Sequence, residues 1–447
     1  MRKLFGTDGI RGVAGEYPLD RATAVAVGVG LARWIGEKHL SPEVVIGMDT
    51  RESSTWIAEH VAGGLAQEGA RTRFAGLITT PGLAHAAKAG PFAAGVMISA
   101  SHNPYHDNGI KIIDHSGFKL PDEQEESLEQ HLFTWLSSGT AAPPQRLDAD
   151  PGLDREYLDH LAATLPAGLA GVHLVVDGAN GSASYLAPEL LRRLGARVDC
   201  IHCAPDGRNI NLNCGSQHLE SLREKVLETG ADLGVAFDGD ADRALFVSHS
   251  GKIVNGDAVL LLTALPLHAR GRLKEVVATV MSNLGLELAL RAHGIGLVRT
   301  SVGDKYVLEE MLRRDAPLGG EQSGHVIFRD YATTGDGLLT ALRVLDAMRA
   351  TGRNLDELTA ELTTYPQLLV NVRVRERKPL EELAGVAAEI RQAEAEFGAA
   401  GRVLVRFSGT EPLARVMVEG PQLDRVQYHA HAIAAAIRGE IGDTPRE

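Results

Sequence analysis

An α/β fold is predicted by two features of the chain: strand-like and helix-like segments alternate along most of it, and its composition is that of an ordinary folded protein. Short apolar, β-branched runs at 44–47, 95–98, 172–176, 233–237 and 276–280 have the length of buried strands. Helix-length amphipathic stretches at 55–68, 187–194 and 221–229 lie between them. Such alternation is the signature of sheets covered by helices. The longest apolar runs, 22–32 and 258–269, read as buried helices, because a membrane span needs roughly 20 unbroken apolar residues. No internal repeat points to a solenoid.

The 447 residues are 44% hydrophobic and 23% charged, with a formal net charge of -13. At ~150 residues per domain the length suggests about three domains. Composition breaks suggest four segments. A small, polar, Pro-rich stretch at 137–151 reads as a linker, a turn at 250–257 precedes a new helix, and 366–379 leads from a strand into a charged turn. The expected segments are 1–150, 151–254, 255–366 and 367–447.

The acidic balance excludes nucleic acid and anionic membranes as partners. An anionic small-molecule substrate would need a locally basic pocket. Three cysteines, Cys200, Cys203 and Cys214, fit a reducing compartment rather than a disulfide framework. Cys200 and Cys203 with Cys214 and His218 invite a zinc reading, but the spacing is poor and buried or incidental thiols are expected. The opening MRKLFGTDGIRG has no apolar stretch, so a secretory signal is not expected and the protein is placed in the cytoplasm.

Four motifs carry chemistry. Ser99-Ala100-Ser101-His102-Asn103-Pro104 follows an apolar run and exposes a hydroxyl at a sheet edge, where α/β proteins place reactive groups. A plain turn would use the same residue types. Asp107-Asn108-Gly109 then reads as a turn, and 110–113 as a returning strand that brings Lys111 near the serine loop. Beside a serine, lysine can carry a proton or hold a phosphate. The second motif is Asp238-Gly239-Asp240-Ala241-Asp242-Arg243. Alternate residues of an extended loop point the same way, and three carboxylates on one side need a hard cation, magnesium or calcium. Arg243 beside them suits a phosphate. An acidic surface turn is the plainer reading.

The third motif is the glycine-rich 319–325, where Glu321 and Ser323 can bond sugar hydroxyls and His325 titrates near neutrality. It could also be a simple connecting loop. In the fourth, Ser408, Gly409 and Thr410 lie in a tight loop flanked by Arg406 and Arg415, which could form a phosphate nest, or a hairpin with surface arginines. The polar loops around Arg11 and at 302–306 carry no function alone.

Together the tracts TDGIRG, SASHNP, DGDADR, GEQSGH and RFSGTEP resemble, in order, the motifs of the α-D-phosphohexomutase family over residues 5–418. The tracts PDGRNINLNCGSQH and VGDKYV resemble its branch for hexosamine phosphates, the alternative being a mannose or glucose phosphate mutase. Lys305, Ala241 and the residues at 14–16 depart from the usual pattern without touching the expected ligands.

The resemblance implies three related α/β domains with mixed sheets and a smaller C-terminal α+β domain around a central cleft. It implies a phosphoserine at Ser101, whose oxygen joins Asp238, Asp240 and Asp242 around one Mg2+ per chain. It implies Arg11, Lys111 and Arg243 around the transferring phosphate, with Lys111 and then His325 as proton carriers. It further implies Glu321, Ser323 and His325 on the sugar, and Arg406, Ser408, Gly409, Thr410 and Arg415 on the non-reacting phosphate. A glucosamine or glucose 1,6-bisphosphate activator and a homodimer complete the expectation.

Overall fold

Strands form where both faces of the chain are apolar, and the helices between them cover those faces. The computed structural model describes residues 4–6, 8–138, 141–408 and 411–443. The chain divides into two compact units: Met1–Met281 with Leu297–Ala360, and Ser282–Gly296 with Glu361–Glu447.

The first unit holds three sheets. In the first, β1 (Ile10–Val13), β2 (Glu43–Met48), β3 (Arg71–Leu77), β4 (Ala94–Ile98) and β5 (Asp107–Asp114) are ordered β1-β5-β4-β2-β3. β2 runs parallel to β3 and β4, whereas β5 is antiparallel to β4 and β1, so the sheet is mixed. The second contains β6 (His173–Asp177), β7 (Arg197–Ile201), β8 (Leu233–Phe237), β9 (Ala244–Ser248) and β10 (Ile253–Val254), ordered β10-β9-β8-β6-β7. The third orders β11 (Glu275–Thr279), β12 (Gly296–Thr300), β13 (Leu318–Gly320) and β14 (Val326–Phe328) as β12-β11-β13-β14.

β4, β8 and β13 are buried along their whole length. β4 and β8 end directly before a chemical motif, and β13 runs into the third, ending at Gly320. Three sheets thus deliver three loops from strand C-terminal ends, the usual place for ligands in open α/β sheets.

The second unit has an antiparallel sheet of β15 (Gln367–Arg373), β16 (Arg402–Phe407) and β17 (Leu413–Glu419), ordered β15-β17-β16. Helices Ala384–Phe397 and Leu423–Ile441 supply its apolar cover through Val386, Val426, Ile433 and Ile437. It is an α+β arrangement. Among the described residues no helix is long and apolar enough to cross a membrane.

Two expectations meet different local structure. Asp107-Asn108-Gly109 is not a turn but the start of β5, because β1 pairs there, Arg11 opposite Gly109 and Gly12 opposite Asn108. Glycine is required in that strand: a Cβ on Gly109 would lie 2.6 Å from the Ser99 carbonyl oxygen. The helix expected from 187 begins at Ala183, with Pro188 inside its first turns. Pro188 is the sixth residue of that helix, beyond the turn whose amides lack intrahelical partners, so its ring removes one hydrogen bond of the helix there.

The buried helix expected at 22–32 is α1 (Arg21–Glu37), capped by Asp20, whose side chain accepts from the Thr23 amide at 2.8 Å. It crosses α2 (Ser54–Gln67) through paired glycines. A Cβ on Gly28 would lie 2.0 Å from the Val61 carbonyl oxygen, and one on Gly64 would lie 2.1 Å from that of Val25. Neither backbone can retreat without separating the helices. Gly64→Ala should therefore cost about 1–3 kcal/mol by overpacking. Thermal unfolding of the variant checks it: the midpoint should fall, and an unchanged midpoint would mean that the crossing adjusts freely.

Candidate active site

Ser101 leaves β4 with φ 50, in the left-handed region, and is 3% exposed. Its amide donates to Ser99 Oγ at 3.0 Å, and Ser99 Oγ donates to Asp49 Oδ2 at 2.7 Å. The Ser101 hydroxyl donates to Asp238 Oδ2 at 2.6 Å and lies 3.2 Å from His102 Nδ1. Burial, Arg243 and Arg11 bring His102 down to about 4, so its ring is neutral and can accept.

The three aspartates do converge, by a route other than an extended loop. The segment after β8 closes as a turn in which the Ala241 amide donates to the Asp238 carbonyl at 3.1 Å. Ala241 takes φ 56, a conformation that favours glycine, and this turns Asp242 back beside Asp238 and Asp240. Carboxylate oxygens of all three lie within 4.8 Å of one another. Burial first, and then Asp242 and Asp240, push the Asp238 carboxyl well above the ordinary value. Burial acts on Asp242 too, but His325, Lys111 and Arg243 outweigh it and hold that carboxyl low.

Positive groups surround the cluster. Lys111 Nζ donates to Asp240 Oδ2 at 2.8 Å and lies 3.0 Å from Asp8 Oδ2. Burial opposes its charge, but Asp240, Asp8 and Asp242 prevail and keep the ammonium above its usual value. Asp8 also pairs with Arg11 and Lys119, and Lys119 pairs with Asp304. His325 Nδ1 faces Asp242 Oδ2 at 3.6 Å, while the Gly335 amide donates to Nε2 at 3.1 Å. Two influences oppose each other here. The Gly335 contact favours the neutral ring, whereas Asp242 and Asp304 overcome burial and lift the imidazole to about 8.

A cavity of about 380 Å³ opens over these groups, lined by Arg11, Ser101, Asp242, Arg243, Glu321 and His325 among others. Glu321 accepts from the Gly303 amide at 3.1 Å, which ties the 302–306 loop to the same wall. Ser323 stands behind it, its hydroxyl 3.5 Å from Glu321 Oε2. Guanidinium Nε atoms of Arg11 and Arg243 are buried and have no hydrogen-bond partner among the described residues. Unsatisfied cationic donors at a cavity wall suit an anion.

The fourth motif lies in the second unit. Gly409 and Thr410 fall outside the described residues. Arg406 and Arg415 are directly opposed on β16 and β17, and Arg415 Nε is buried without a partner among the described residues. Burial and then Arg415 lower the Arg406 guanidinium. Arg415 reaches Glu411 Oε2 at 3.0 Å, and Ser408 Oγ accepts from the Glu411 amide at 3.3 Å. Like charges directly across a strand pair repel unless an anion joins them.

Family models of the phosphoglucomutase/phosphomannomutase α/β/α domains match residues 2–138, 155–251 and 255–365, and the model of its C-terminal domain matches 369–436. The chain belongs to the phosphoglucomutase/phosphomannomutase family. A phosphoglucosamine mutase of Solibacter usitatus (strain Ellin6076) is 60% identical over 99% of this chain and 100% of its own. A phosphoglucomutase/phosphomannomutase family protein of Burkholderia thailandensis shares the fold, with a TM-score of 0.81 at 23% identity over 98% of this chain and 99% of its own. So does an N-acetylphosphoglucosamine mutase of Aspergillus fumigatus, solved with GlcNAc-6P and magnesium, with a TM-score of 0.64 at 20% identity over 98% of this chain and 96% of its own.

The site of this phosphoglucomutase/phosphomannomutase-family chain passes a simple test for a metal. Asp240 Oδ1 and Asp242 Oδ1 are buried and have no hydrogen-bond partner among the described residues. Two such oxygens beside a third carboxylate and a serine hydroxyl form an all-oxygen donor set, which suits a hard divalent cation. The zinc set raised by the cysteines is a different matter. Cys214 is grouped instead with Asp177 and His202. Asp177 Oδ2 already accepts from His202 Nδ1 and the Gly215 amide, each at 3.0 Å, so that cluster is closed by its own hydrogen bonds.

Sequence reasoning passed over the support of the serine loop. Arg51, 2% exposed, pairs with Asp49 at 2.9 Å. Its guanidinium donates to the carbonyls of Ser101 at 3.0 Å, Asn103 at 2.8 Å and Asp107 at 3.0 Å, and also to that of Pro104. Asn211 Nδ2 donates to the Ser101 and Asn103 carbonyls at 2.9 and 3.1 Å. Thr80 Oγ1 donates to Asp240 Oδ2 at 2.5 Å. The tract Asp49-Thr50-Arg51 directly after a strand was the available signal. Arg51→Met should cost about 3–5 kcal/mol, because Asp49 is left buried and unpaired. Chemical denaturation measures this, and a loss below about 1 kcal/mol would mean that water replaces the guanidinium.

Proposed function

We propose that this chain is an isomerase that interconverts glucosamine 6-phosphate and glucosamine 1-phosphate through a phosphoserine at Ser101. The observation that carries the chemistry is the Ser101 hydroxyl, 2.6 Å from Asp238 at the wall of a cavity bearing cationic groups. The amino-sugar substrate is supported by the full-length relative named phosphoglucosamine mutase at 60% identity. A 1,6-bisphosphate is the expected intermediate. It would turn in the site and return its other phosphate to Ser101, so a trace of glucosamine or glucose 1,6-bisphosphate would prime the enzyme.

Phosphoryl transfer demands positioning and charge neutralisation more than covalent chemistry from the protein. Asp238, Asp240, Asp242 and a phosphoserine oxygen would hold one Mg2+. When bound, the ion supplies charge neutralisation at the transferring group. Arg11, Arg243 and Lys111 add fixed positive charge around it. Of the two expected proton carriers, Lys111 and then His325, the two carboxylates on the lysine ammonium favour the reverse order. His325 sits closer to the pH at which a group can both take and give a proton. Glu321 and Ser323, with His325, would contact the sugar. Arg406, Ser408, Gly409, Thr410 and Arg415 would hold the non-reacting phosphate. A cytoplasmic enzyme of this kind would supply UDP-N-acetylglucosamine synthesis.

The deciding assay compares glucosamine, glucose and mannose phosphates by kcat/KM, with Mg2+ and a trace of hexose 1,6-bisphosphate. Glucosamine phosphate should be preferred. Faster turnover of either neutral sugar would keep the serine and metal chemistry and overturn the substrate. Ser101→Ala should reduce turnover to background, and wild-type activity in that variant would remove the serine from the mechanism. Chelation by EDTA should likewise abolish turnover and added Mg2+ restore it, whereas Asp240→Asn should lose roughly 10²–10³ in kcat even at saturating Mg2+.

A further inference from the structure

At the end of β7 lies a pair of thiols that this reaction does not use. Cys200 is exposed and Cys203 half-buried. His202 between them takes φ 46, a left-handed bend that folds the chain back on itself, and Cys203 Sγ donates to the Ile201 carbonyl at 3.3 Å. Arg192, in the helix Ala183–Arg193, places a guanidinium nitrogen 3.4 Å from Cys200 Sγ. The neighbouring Cys203 thiol first, and Arg192 with it, draw the Cys200 thiol down to about 6 against the effect of burial. Cys200 and burial push the Cys203 thiol up. One sulfur is therefore an accessible thiolate and its neighbour a protonated partner, as in attacking and resolving cysteines.

The pair is joined to the serine loop by a short run of chain. Cys203 Sγ lies only 2.7 Å from where a Cβ on Gly178 would stand. The Asn180 amide donates to the His202 carbonyl at 2.7 Å, and the Ala204 amide to Asn180 Oδ1 at 3.2 Å. Further along the same loop, the Asn211 amide donates to the Ala179 carbonyl at 2.9 Å while its side chain holds the carbonyls of Ser101 and Asn103. Drawing Cys203 toward Cys200 pulls it off Gly178 and disturbs the base of the Asn211 tether.

We propose that Cys200 and Cys203 are a reversible dithiol–disulfide site whose closure loosens the Asn211 tether on the reactive-serine loop. The oxidant is a low-molecular-weight disulfide. Cys200 thiolate attacks one of its sulfurs, breaking that S–S bond, and the first thiolate leaves. Cys203 then gives up its proton and attacks Cys200 sulfur in the mixed disulfide, expelling the second thiolate. The two cysteines are oxidised to one disulfide, and the small disulfide is reduced to two thiols. Cys214 takes no part: burial and Asp177 push its thiol up to about 12.

The test treats the full chain with oxidised glutathione and maps thiols by mass spectrometry, a readout that needs no substrate. The expected product has lost two hydrogens, carries no glutathione, and is bridged between Cys200 and Cys203 with Cys214 free. Hydrogen exchange should rise in 99–109, and mutase kcat should fall roughly tenfold or more, as a displaced catalytic loop predicts. Dithiothreitol should reverse both. Cys200→Ser and Cys203→Ser should keep kcat in the presence of the oxidant. A stable glutathione adduct on Cys200, a bridge to Cys214, or a Cys200–Cys203 bridge without change in exchange would each overturn the proposal. If the chain lacked mutase activity altogether, mapping and exchange would still decide the thiol site, so the two readings fail separately.

Discussion

Three buried carboxylates that face one serine hydroxyl set the terms for the rest of the first unit. Like charges taken out of water repel each other strongly, and burial adds a desolvation cost to each. The surrounding residues answer oxygen by oxygen. Lys111 and Thr80 share one oxygen of Asp240, the Arg243 amide and Ser101 take those of Asp238, and His325 faces one of Asp242. One oxygen on each of Asp240 and Asp242 is left without a hydrogen-bond partner among the described residues. A phosphate on Ser101 would add further negative charge and remove the hydroxyl proton that now bonds Asp238. A cation reconciles these demands, and a purely structural carboxylate cluster would have no reason to leave those two oxygens bare.

The serine is held by backbone rather than by its own side chain. A left-handed φ at a non-glycine residue costs energy and persists only when neighbours fix it. Here the Arg51 guanidinium gathers carbonyls of the serine loop, and Asp49 both anchors that guanidinium and accepts from Ser99. Asn211 reaches the same carbonyls from the second sheet. The hydroxyl is thereby held toward Asp238, which would lower the cost of orientation in the proposed transfer.

What the sequence made legible follows from range. A motif such as 238–243 concentrates its chemistry in a few consecutive residues, so residue type and spacing declare it even when the local geometry is misread. The aspartates converge through a turn at Ala241, not through strand-like alternation, and Ala241, which departs from the usual pattern, is the residue with φ 56. The α/β class and the main strands were readable because apolar runs set them. Arg51, Thr80 and Asn211 were not, because each acts on a group 50 or more residues away and resembles an ordinary loop or helix-start residue when seen alone. The Asp107–Gly109 tract misled because turn-forming residues can be recruited into a strand when a neighbouring strand supplies partners.

An acidic chain that handles an anion must separate two kinds of positive charge. In the first unit Lys111 is compensated by Asp240 and Asp8, and Arg11 by Asp8, while Arg243 stands beside Asp242. Positive charge there is largely compensated by neighbouring carboxylates, and the unpartnered Nε atoms of Arg11 and Arg243 are what it leaves for an anion. In the second unit the cross-strand Arg406 and Arg415 meet with Glu411 as the paired carboxylate on Arg415. Their mutual repulsion is relieved by an anion directly, with no metal required. Under the proposed function the two settings would suit different tasks: the compensated one to move a phosphoryl group, and the cross-strand arginine pair to grip a phosphate that is not reacting. Fixing both with a single net charge is impossible, and this is why a chain of charge -13 can still present strongly basic loops.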